Sequence, residues 1–326
     1  MKVLVTGGAG YIGAHACKAL ARAGHVPVTF DDLSTGWREA VRYGPLVEGS
    51  LSDRDAVGRA LAEHAPDAVM HFAARSLVGE AMADPGRYWR ENVTGAANLL
   101  DAMAGAGCGA IVFSSTCATY GDQDGVELDE GCEQRPLNAY GASKLAIEAM
   151  LRDFEAAHGI RHVIFRYFNV AGADAEAEIG ERHEPETHLV PLMLAAVDGA
   201  GGALTIHGTD YPTRDGTCVR DYVHVEDLVD AHLKGLNWLA KGRESRAFNL
   251  GTGAGFTVRE VIDASRAVTN REVPVTEGPR RGGDAVSLVS GSRRAAEELG
   301  WEPARSTLPR MIGDAWRWHR SGGFGP

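Results

Sequence analysis

An α/β fold is predicted for this chain, with a doubly wound parallel sheet followed by a smaller C-terminal α/β lobe. Three observations carry that expectation. Strand-like and helix-like segments alternate through the first half of the sequence. The first strand runs directly into a glycine-rich turn and a helix. A carboxylate then closes the second strand.

Residues 2–6 (KVLVT) are a short apolar run and read as the first strand. Gly7, Gly8, Ala9, Gly10, Tyr11, Ile12 and Gly13 follow at once, and helix-forming residues continue to position 23. Gly8, Gly10 and Gly13 fit the G-x-G-x-x-G pattern in its setting of strand, turn and helix. Glycine is needed because the turn uses unusual backbone angles and must approach a pyrophosphate closely. The N–H groups that open the helix then face the anion. This is the signature of a Rossmann-type unit. Residues 26–30 read as the second strand, and Asp31 stands eighteen residues after Gly13. A carboxylate there accepts from the adenosine ribose 2′-hydroxyl and repels a 2′-phosphate, so NAD is expected rather than NADP. The competing reading makes Asp31 and Asp32 ordinary turn residues.

Residues 53–64, 88–105 and 141–158 read as helices, and 68–73, 110–114 and 162–166 as strands. Such alternation implies a sheet covered on both faces. Ligands of these sheets bind at the carboxyl ends of the strands. After about residue 168 the pattern loosens. Residues 1–168 are therefore expected as the NAD-binding domain and 169–326 as a second lobe, with segments returning to the first. Residues 173–186 hold five glutamates and read as a solvated acidic loop. Residues 321–326 read as a frayed tail.

Composition narrows the function. With 326 residues, 44% hydrophobic and 24% charged, the chain is globular. Its net charge of −11 argues against nucleic-acid and membrane-surface partners. Positive charge for an anionic ligand must then be local. No apolar run approaches the ~18–20 residues of a membrane helix, and a strand at residue 2 leaves no room for a signal peptide. Five cysteines, odd in number and without C-x-x-C spacing, fit reduced thiols in a cytoplasmic protein. The twelve histidines read as surface or core residues, and no structural metal is expected.

The chemistry is concentrated at Tyr140 and Lys144, four residues apart at the start of a helical stretch. Residues at i and i+4 share one helix face, so phenol and ammonium point into one site. A nearby cation lowers a tyrosine pKa. In isolation such a pair reads equally well as helix surface. It is preceded by a strand ending in Ser114, Ser115 and Thr116, which places hydroxyls where the cofactor site is expected. The alternative for those hydroxyls is a polar turn.

In this combination the chain resembles the extended short-chain dehydrogenase/reductases, and closely their UDP-glucose 4-epimerase branch, over nearly its full length. The motifs are Val5 through Gly13, His71-Phe72-Ala73-Ala74, Phe113-Ser114-Ser115-Thr116, Tyr120-Gly121, Tyr140 through Lys144 and Arg166-Tyr167-Phe168-Asn169. Residues 208–213, 215–225, 249–251 and 279–284 complete them, and 215–225 is the most specific. The resemblance implies that Tyr140 takes the sugar 4-hydroxyl proton. Thr116 bonds the same oxygen, and Lys144 holds the nicotinamide ribose. Gly7, Gly10, Tyr11, Ile12, Gly13, Asp31, Asp32, Ser50, Leu51, Phe72, Ala73, Ala74, Asn92, Ser114, Tyr140, Lys144 and Tyr167 fall where the family binds NAD. Asn169, His188, Leu189, Thr205, His207, Arg220, Tyr222, Arg281, Asp284 and Leu288, with Thr116 and Tyr140, fall where it binds the UDP-sugar. Arginines suit a diphosphate because guanidinium donates in a fork. A homodimer is implied as well. Several positions depart from the family pattern. Ser50 replaces a common acid, Ser76 a lysine, His188 an asparagine and His207 a phenylalanine.

The implied reaction interconverts UDP-galactose and UDP-glucose through a transient 4-keto sugar, with NAD tightly held and not consumed. UDP-N-acetylhexosamines and UDP-xylose/arabinose remain alternative substrates. A nucleotide-sugar 4,6-dehydratase would carry Asp-Glu after the threonine, whereas Cys117 and Ala118 stand here. A decarboxylase is disfavoured on similar grounds. A non-catalytic dinucleotide sensor would typically lack the tyrosine–lysine pair.

Overall fold

A computed structural model describes residues 1–123 and 126–324. The strands are β1 (Lys2–Thr6), β2 (Val26–Asp31), β3 (Leu46–Glu48), β4 (Ala68–His71), β5 (Ala110–Thr116), β6 (Arg161–Tyr167), β7 (Asn169–Ala171), β8 (Leu204–His207), β9 (Val219–His224), β10 (Arg246–Leu250), β11 (Gly255–Thr257), β12 (Val275–Gly278) and β13 (Ser287–Leu288). The helices are α1 (Tyr11–Arg22), α2 (Arg54–His64), α3 (Val78–Ala83), α4 (Pro85–Tyr88), α5 (Gly95–Ala106), α6 (Ala139–His158), α7 (Leu189–Asp198), α8 (Val225–Ala240), α9 (Val258–Thr269) and α10 (Leu308–Arg320).

Seven strands form one parallel sheet in the order β10-β6-β5-β4-β1-β2-β3. The expected doubly wound Rossmann-type sheet is therefore present. Side chains alternate across it, as the two-residue period of a strand requires. Val3, Val5, Val112, Val163 and Phe165 face one core with α1 and α8. Leu4, Ile111, Phe113 and Ile164 face another with α2, α5 and α6. Two of the seven strands, β3 and β10, were not among the sequence expectations. The expected helix over 88–105 is divided, with a π-helical turn at Trp89–Thr94 between α4 and α5.

A second lobe is built on β9, flanked by antiparallel β11 and parallel β13 and continued by parallel β7. Strands β8 and β12 pair separately. Helices α7, α9 and α10 cover this lobe around Met193, Met311 and Ile312.

Two loop expectations are corrected. Residues 173–186 are not a solvated acidic loop. The buried Lys18 ammonium of α1 gathers Asp174, Glu176 and Glu178 at 2.7, 2.8 and 2.7 Å, and Ile179 is fully buried. A buried cation must be paired, and one lysine draws the acidic chain down onto the sheet domain. The tail is anchored too, because Phe324 packs on Trp37 and Trp318. Gly325 and Pro326 lie outside the described residues.

Candidate active site

The glycine turn is sterically fixed. Gly7 has φ +74, and a Cβ there would lie 2.6 Å from the Ala73 nitrogen. A Cβ at Gly13 would lie 2.0 Å from the Gly7 carbonyl oxygen. Side chains at either position would force the turn apart. Gly10 is freer and serves as the N-cap of α1. Ile12 packs on the sheet core, and the Tyr11 hydroxyl donates to the Gly172 carbonyl at 2.6 Å.

Asp31, at the carboxyl end of β2, accepts from Ala9 N at 3.0 Å and Leu33 N at 2.8 Å. It thereby ties the glycine turn to the end of the strand. A carboxylate has lone pairs left for a hydroxyl. Asp32 turns aside to cap Ser34 N. Beyond β3, the Ser50 hydroxyl accepts from Ser52 N at 3.3 Å, and the buried Leu51 gives its carbonyl to Asn98. Phe72 and Ala73 continue β4, both amides bonding the Thr6 carbonyl. Ala74 follows, half-buried.

The π-helical turn aims Asn92 inward. Its amide brackets the Arg75 backbone, accepting from N at 2.8 Å and donating to O at 3.0 Å, and reaches the Ser143 hydroxyl at 3.0 Å. Ser143 was not anticipated. It lies inside the Tyr140–Lys144 turn, and sequence spacing alone does not reveal its role.

Asn138 caps α6 by accepting from Gly141 N, which sets the first turn carrying Tyr140 beside the end of β5. The Tyr140 phenol lies beside the Thr116 side chain. The Ser114 hydroxyl meets the Tyr167 hydroxyl. Lys144 Nζ donates to the Ser114 carbonyl at 2.8 Å and lies 5.0 Å from the centre of the Phe113 ring. Catalytic and cofactor candidates from β5, α6 and β6 thus converge at the carboxyl ends of β5 and β6.

Their electrostatics depart from the simple expectation. Burial pushes the Tyr140 phenol up to about 12, with Thr116 acting against it. Burial pulls Lys144 down to about 7, opposed by Glu148. Lys144 is not among the groups acting on the Tyr140 phenol, and desolvation is the largest cause for each of the two residues.

Behind this site lies a buried polar network that the sequence did not announce. Glu148 accepts from Ser115 at 2.6 Å and from Arg166 at 3.0 and 2.7 Å. Arg166 donates to the Tyr120 hydroxyl, which donates to Asn249 of β10.

The second set assembles on β9. Asn169 pairs with Tyr222 across β7 and β9, and Leu288 pairs with Arg220 across β13 and β9. Arg220 and Arg281 both approach Asp284, at 3.9 and 3.7 Å. Leu288 packs against Cys117, Tyr120 and Phe168, adjoining Thr116 and Asn169 in sequence. His188 is the N-cap residue of α7, and Leu189 is its first residue. Thr205 and His207 lie on β8, apart from β9. Gly208 touches Tyr211 and Arg280, connecting the end of β8 to the loop that carries Arg281.

A glycine turn closing on β4, a carboxylate ending β2 and a tyrosine–lysine helix beside β5 define a dinucleotide-binding α/β protein with an acid–base centre. A sequence model of the NAD-dependent epimerase/dehydratase family matches residues 3–251, and the chain belongs to that family. It is 49% identical to the UDP-glucose 4-epimerase of Rhizobium meliloti over 317 residues, covering 97% of this chain and 96% of the relative. It is 50% identical to the UDP-glucose 4-epimerase of Rhizobium leguminosarum bv. trifolii, covering 97% of each chain. The crystal structure of UDP-glucose 4-epimerase from Brucella ovis in complex with NAD superposes with a TM-score of 0.94 at 45% identity, covering 97% of each chain.

His188 also belongs to a second group: Glu181, His183, Glu186 and His188 bring four ligating atoms within 4.8 Å of one another. The sequence offered a signal that was not used: His183 and His188 are separated by four residues, within the three to five usual between zinc-binding histidines. His158 and His162 do stand four apart, but α6 ends at His158 and Gly159 turns the chain with φ +69.

Proposed function

We propose that this protein is a UDP-glucose 4-epimerase that interconverts UDP-galactose and UDP-glucose and keeps NAD bound through the cycle. The observation that carries the reading is the convergence of Tyr140, Thr116 and Lys144 at the carboxyl end of β5, in the same sheet whose β1 leads into the glycine turn. The chain's family and its relatives at 49 and 50% identity support it.

The residues present fit the dinucleotide. Glycines 7 and 13 leave a backbone cradle that any side chain would fill. Asp31 stands at the strand end with acceptor capacity for a ribose hydroxyl. In this reading the remaining cofactor residues are Gly10, Tyr11, Ile12, Asp32, Ser50, Leu51, Phe72, Ala73, Ala74, Asn92, Ser114 and Tyr167, together with Lys144. When bound, NAD accepts hydride from the sugar C4 and returns it. Tyr140 takes the O4 proton, and Thr116 holds that oxygen and the phenol in one hydrogen-bonded line. Lys144, fixed on the Ser114 carbonyl, presents its amine to the nicotinamide ribose. Arg220 and Arg281 grip the diphosphate, and Asn169, His188, Leu189, Thr205, His207, Tyr222 and Asp284 surround the rest of UDP. A firm hold on UDP and a loose hold on the sugar let the keto sugar turn over between the two hydride steps. Residues 1–168 form the NAD-binding part and 169–326 the UDP-sugar part in this division. The protein works in the cytoplasm as a homodimer.

The test is direct. Purified protein denatured without added cofactor releases NAD or its reduced form. UDP-galactose added to native protein produces UDP-glucose and a transient absorbance of reduced nicotinamide. Release of NADP as the main species, or no interconversion, refutes the reading.

A further inference from the structure

We propose that Glu181, His183, Glu186 and His188 bind one divalent transition-metal ion, and that zinc is its best match. The four residues alternate along a short loop between β7 and α7, yet their donor atoms converge within 4.8 Å. His188 Nδ1 lies 2.8 Å from Glu186 and 3.3 Å from Glu181. His183 Nδ1 lies 3.3 Å from Glu186 and 3.6 Å from Glu181. Tetrahedral zinc with bonds of about 2.0–2.2 Å spaces its ligand atoms roughly 3.4 Å apart. The four imidazole–carboxylate distances scatter around that value, with Glu186 facing His188 through Oε1 and His183 through Oε2, and all four ligand atoms lie within 4.8 Å of one another. Two imidazole nitrogens and two carboxylate oxygens also neutralise a divalent ion, and imidazole with carboxylate is a donor set that zinc accepts.

Two features separate this cluster from an ordinary group of surface charges. The Glu181 side chain is only 8% exposed, and the groups facing its carboxylate are the two imidazoles. The neighbouring Asp174–Glu176–Glu178 group offers a similar donor density but is closed by Lys18 Nζ at its centre.

The loop is also held in shape from outside. Trp318 Nε1 donates to the Glu181 carbonyl at 3.1 Å, and Trp37 Nε1 donates to the Arg182 carbonyl at 3.1 Å. Thr187 N and His188 N both donate to Glu186 Oε1 at 2.8 Å, which orients that carboxylate and leaves Oε2 toward His183. Ligands oriented by such outer bonds make a stronger site. The ion would pin the chain that runs from the cover of α1 to the start of α7.

The test uses the full chain, purified without a polyhistidine tag or chelator. Elemental analysis is expected to find about one zinc per chain, as a closed four-ligand site requires. After chelation and dialysis, calorimetric titration with zinc chloride is expected to show a single site. His183→Ala should weaken zinc binding by more than the roughly 10–100-fold that outer-shell changes cost. Glu186→Gln, which keeps an oxygen for the two amides, should weaken it likewise and guards against a misfolded alanine variant. Glu184→Gln, in the same loop but outside the set, should bind as wild type. Protein with no bound metal that gives no heat with zinc chloride overturns the proposal. So does undiminished zinc binding by both folded ligand variants, judged by their retained dinucleotide content.

Discussion

Tyr140 performs its proposed proton transfer in a setting that works against ionisation. Burial holds its phenol at about 12, so phenolate forms only when a cation bound beside it offsets desolvation. Removing the oxygen isolates its role. Tyr140→Phe should lower turnover by roughly 10²–10⁴-fold while UDP-sugar affinity is largely kept, because general acid–base catalysis is worth about that much. Near-normal steady-state turnover would dismiss Tyr140 as the base. Leu288 addresses substrate range. It packs on the cluster of Cys117 and Phe168, the sequence neighbours of Thr116 and Asn169, and in the proposed function its size sets room around the sugar. Leu288→Tyr should lower kcat/KM for UDP-N-acetylhexosamines relative to UDP-glucose, by an amount on the order of 1–3 kcal/mol for an apolar pocket. Equal kcat/KM ratios in variant and wild type would remove Leu288 from specificity. At this scale the i, i+4 spacing of Tyr140 and Lys144 and the hydroxyls closing the preceding strand were legible, because both are local patterns. The sequence did not show the direction in which the pKa values of Tyr140 and Lys144 move, since burial comes from distant residues.

At the scale of elements, α6 is joined to the sheet by charge as well as by packing. Glu148 and Arg166 form a buried pair whose side chains are 0% and 7% exposed. Removing one member leaves the other buried and unpaired, which costs about 3–5 kcal/mol. Glu148→Ala should therefore lower the urea midpoint sharply. Glu148→Gln, which can still accept from Ser115, should lower it less. A midpoint for Glu148→Ala within error of wild type would show that the network carries little stability. The glycine turn and the first strands were legible because each is a local pattern. Strand β3 was not, because three residues are too few to show alternation. Strand β10 reads RAFNL and is separated from its partner β6 by most of the second lobe. The apolar spacing of residues 88–105 revealed helix but not the extra backbone residue of the π-helical turn. That turn is the feature that directs Asn92 into the site.

For the whole molecule, buried neutral histidines set the response to acid. Burial pushes His15 and His232 down to about 4 and His71 to about 3. Among the described residues, Nε2 of each has no protein partner. Between their ordinary pKa of about 6.5 and these lowered values, the unfolded chain binds protons that the folded chain does not. Stability must then fall as pH falls through that window. Denaturant midpoints should drop from pH 7 toward pH 5, and His232→Asn should flatten the slope if the variant folds. A flat midpoint over that range would contradict the neutral assignments. Assembly is tested at the same scale. Ala96, Leu99, Ile147 and Leu151 are spent on the sheet core and Phe154 packs against it, whereas Trp89 stays 44% exposed and Val93 and Leu145 are only half-buried. Light scattering at micromolar concentration should give twice the 34.7 kDa chain mass, and a single-chain mass would refute the dimer.

Strand β10 also bears on how the protein is made. It is the outermost partner of β6 in the parallel sheet, and α8, just before it in sequence, roofs one face of that sheet. A nascent chain that has emerged only as far as β6 therefore carries an open edge and an uncovered apolar face. Open edges of this kind recruit other strands. The ribosome must deliver about eighty further residues, through Leu250, before the first-synthesised sheet is complete. Translation halted at position 168 should yield a product that needs a chaperone or precipitates, although every residue of the glycine turn and of Tyr140–Lys144 is already present.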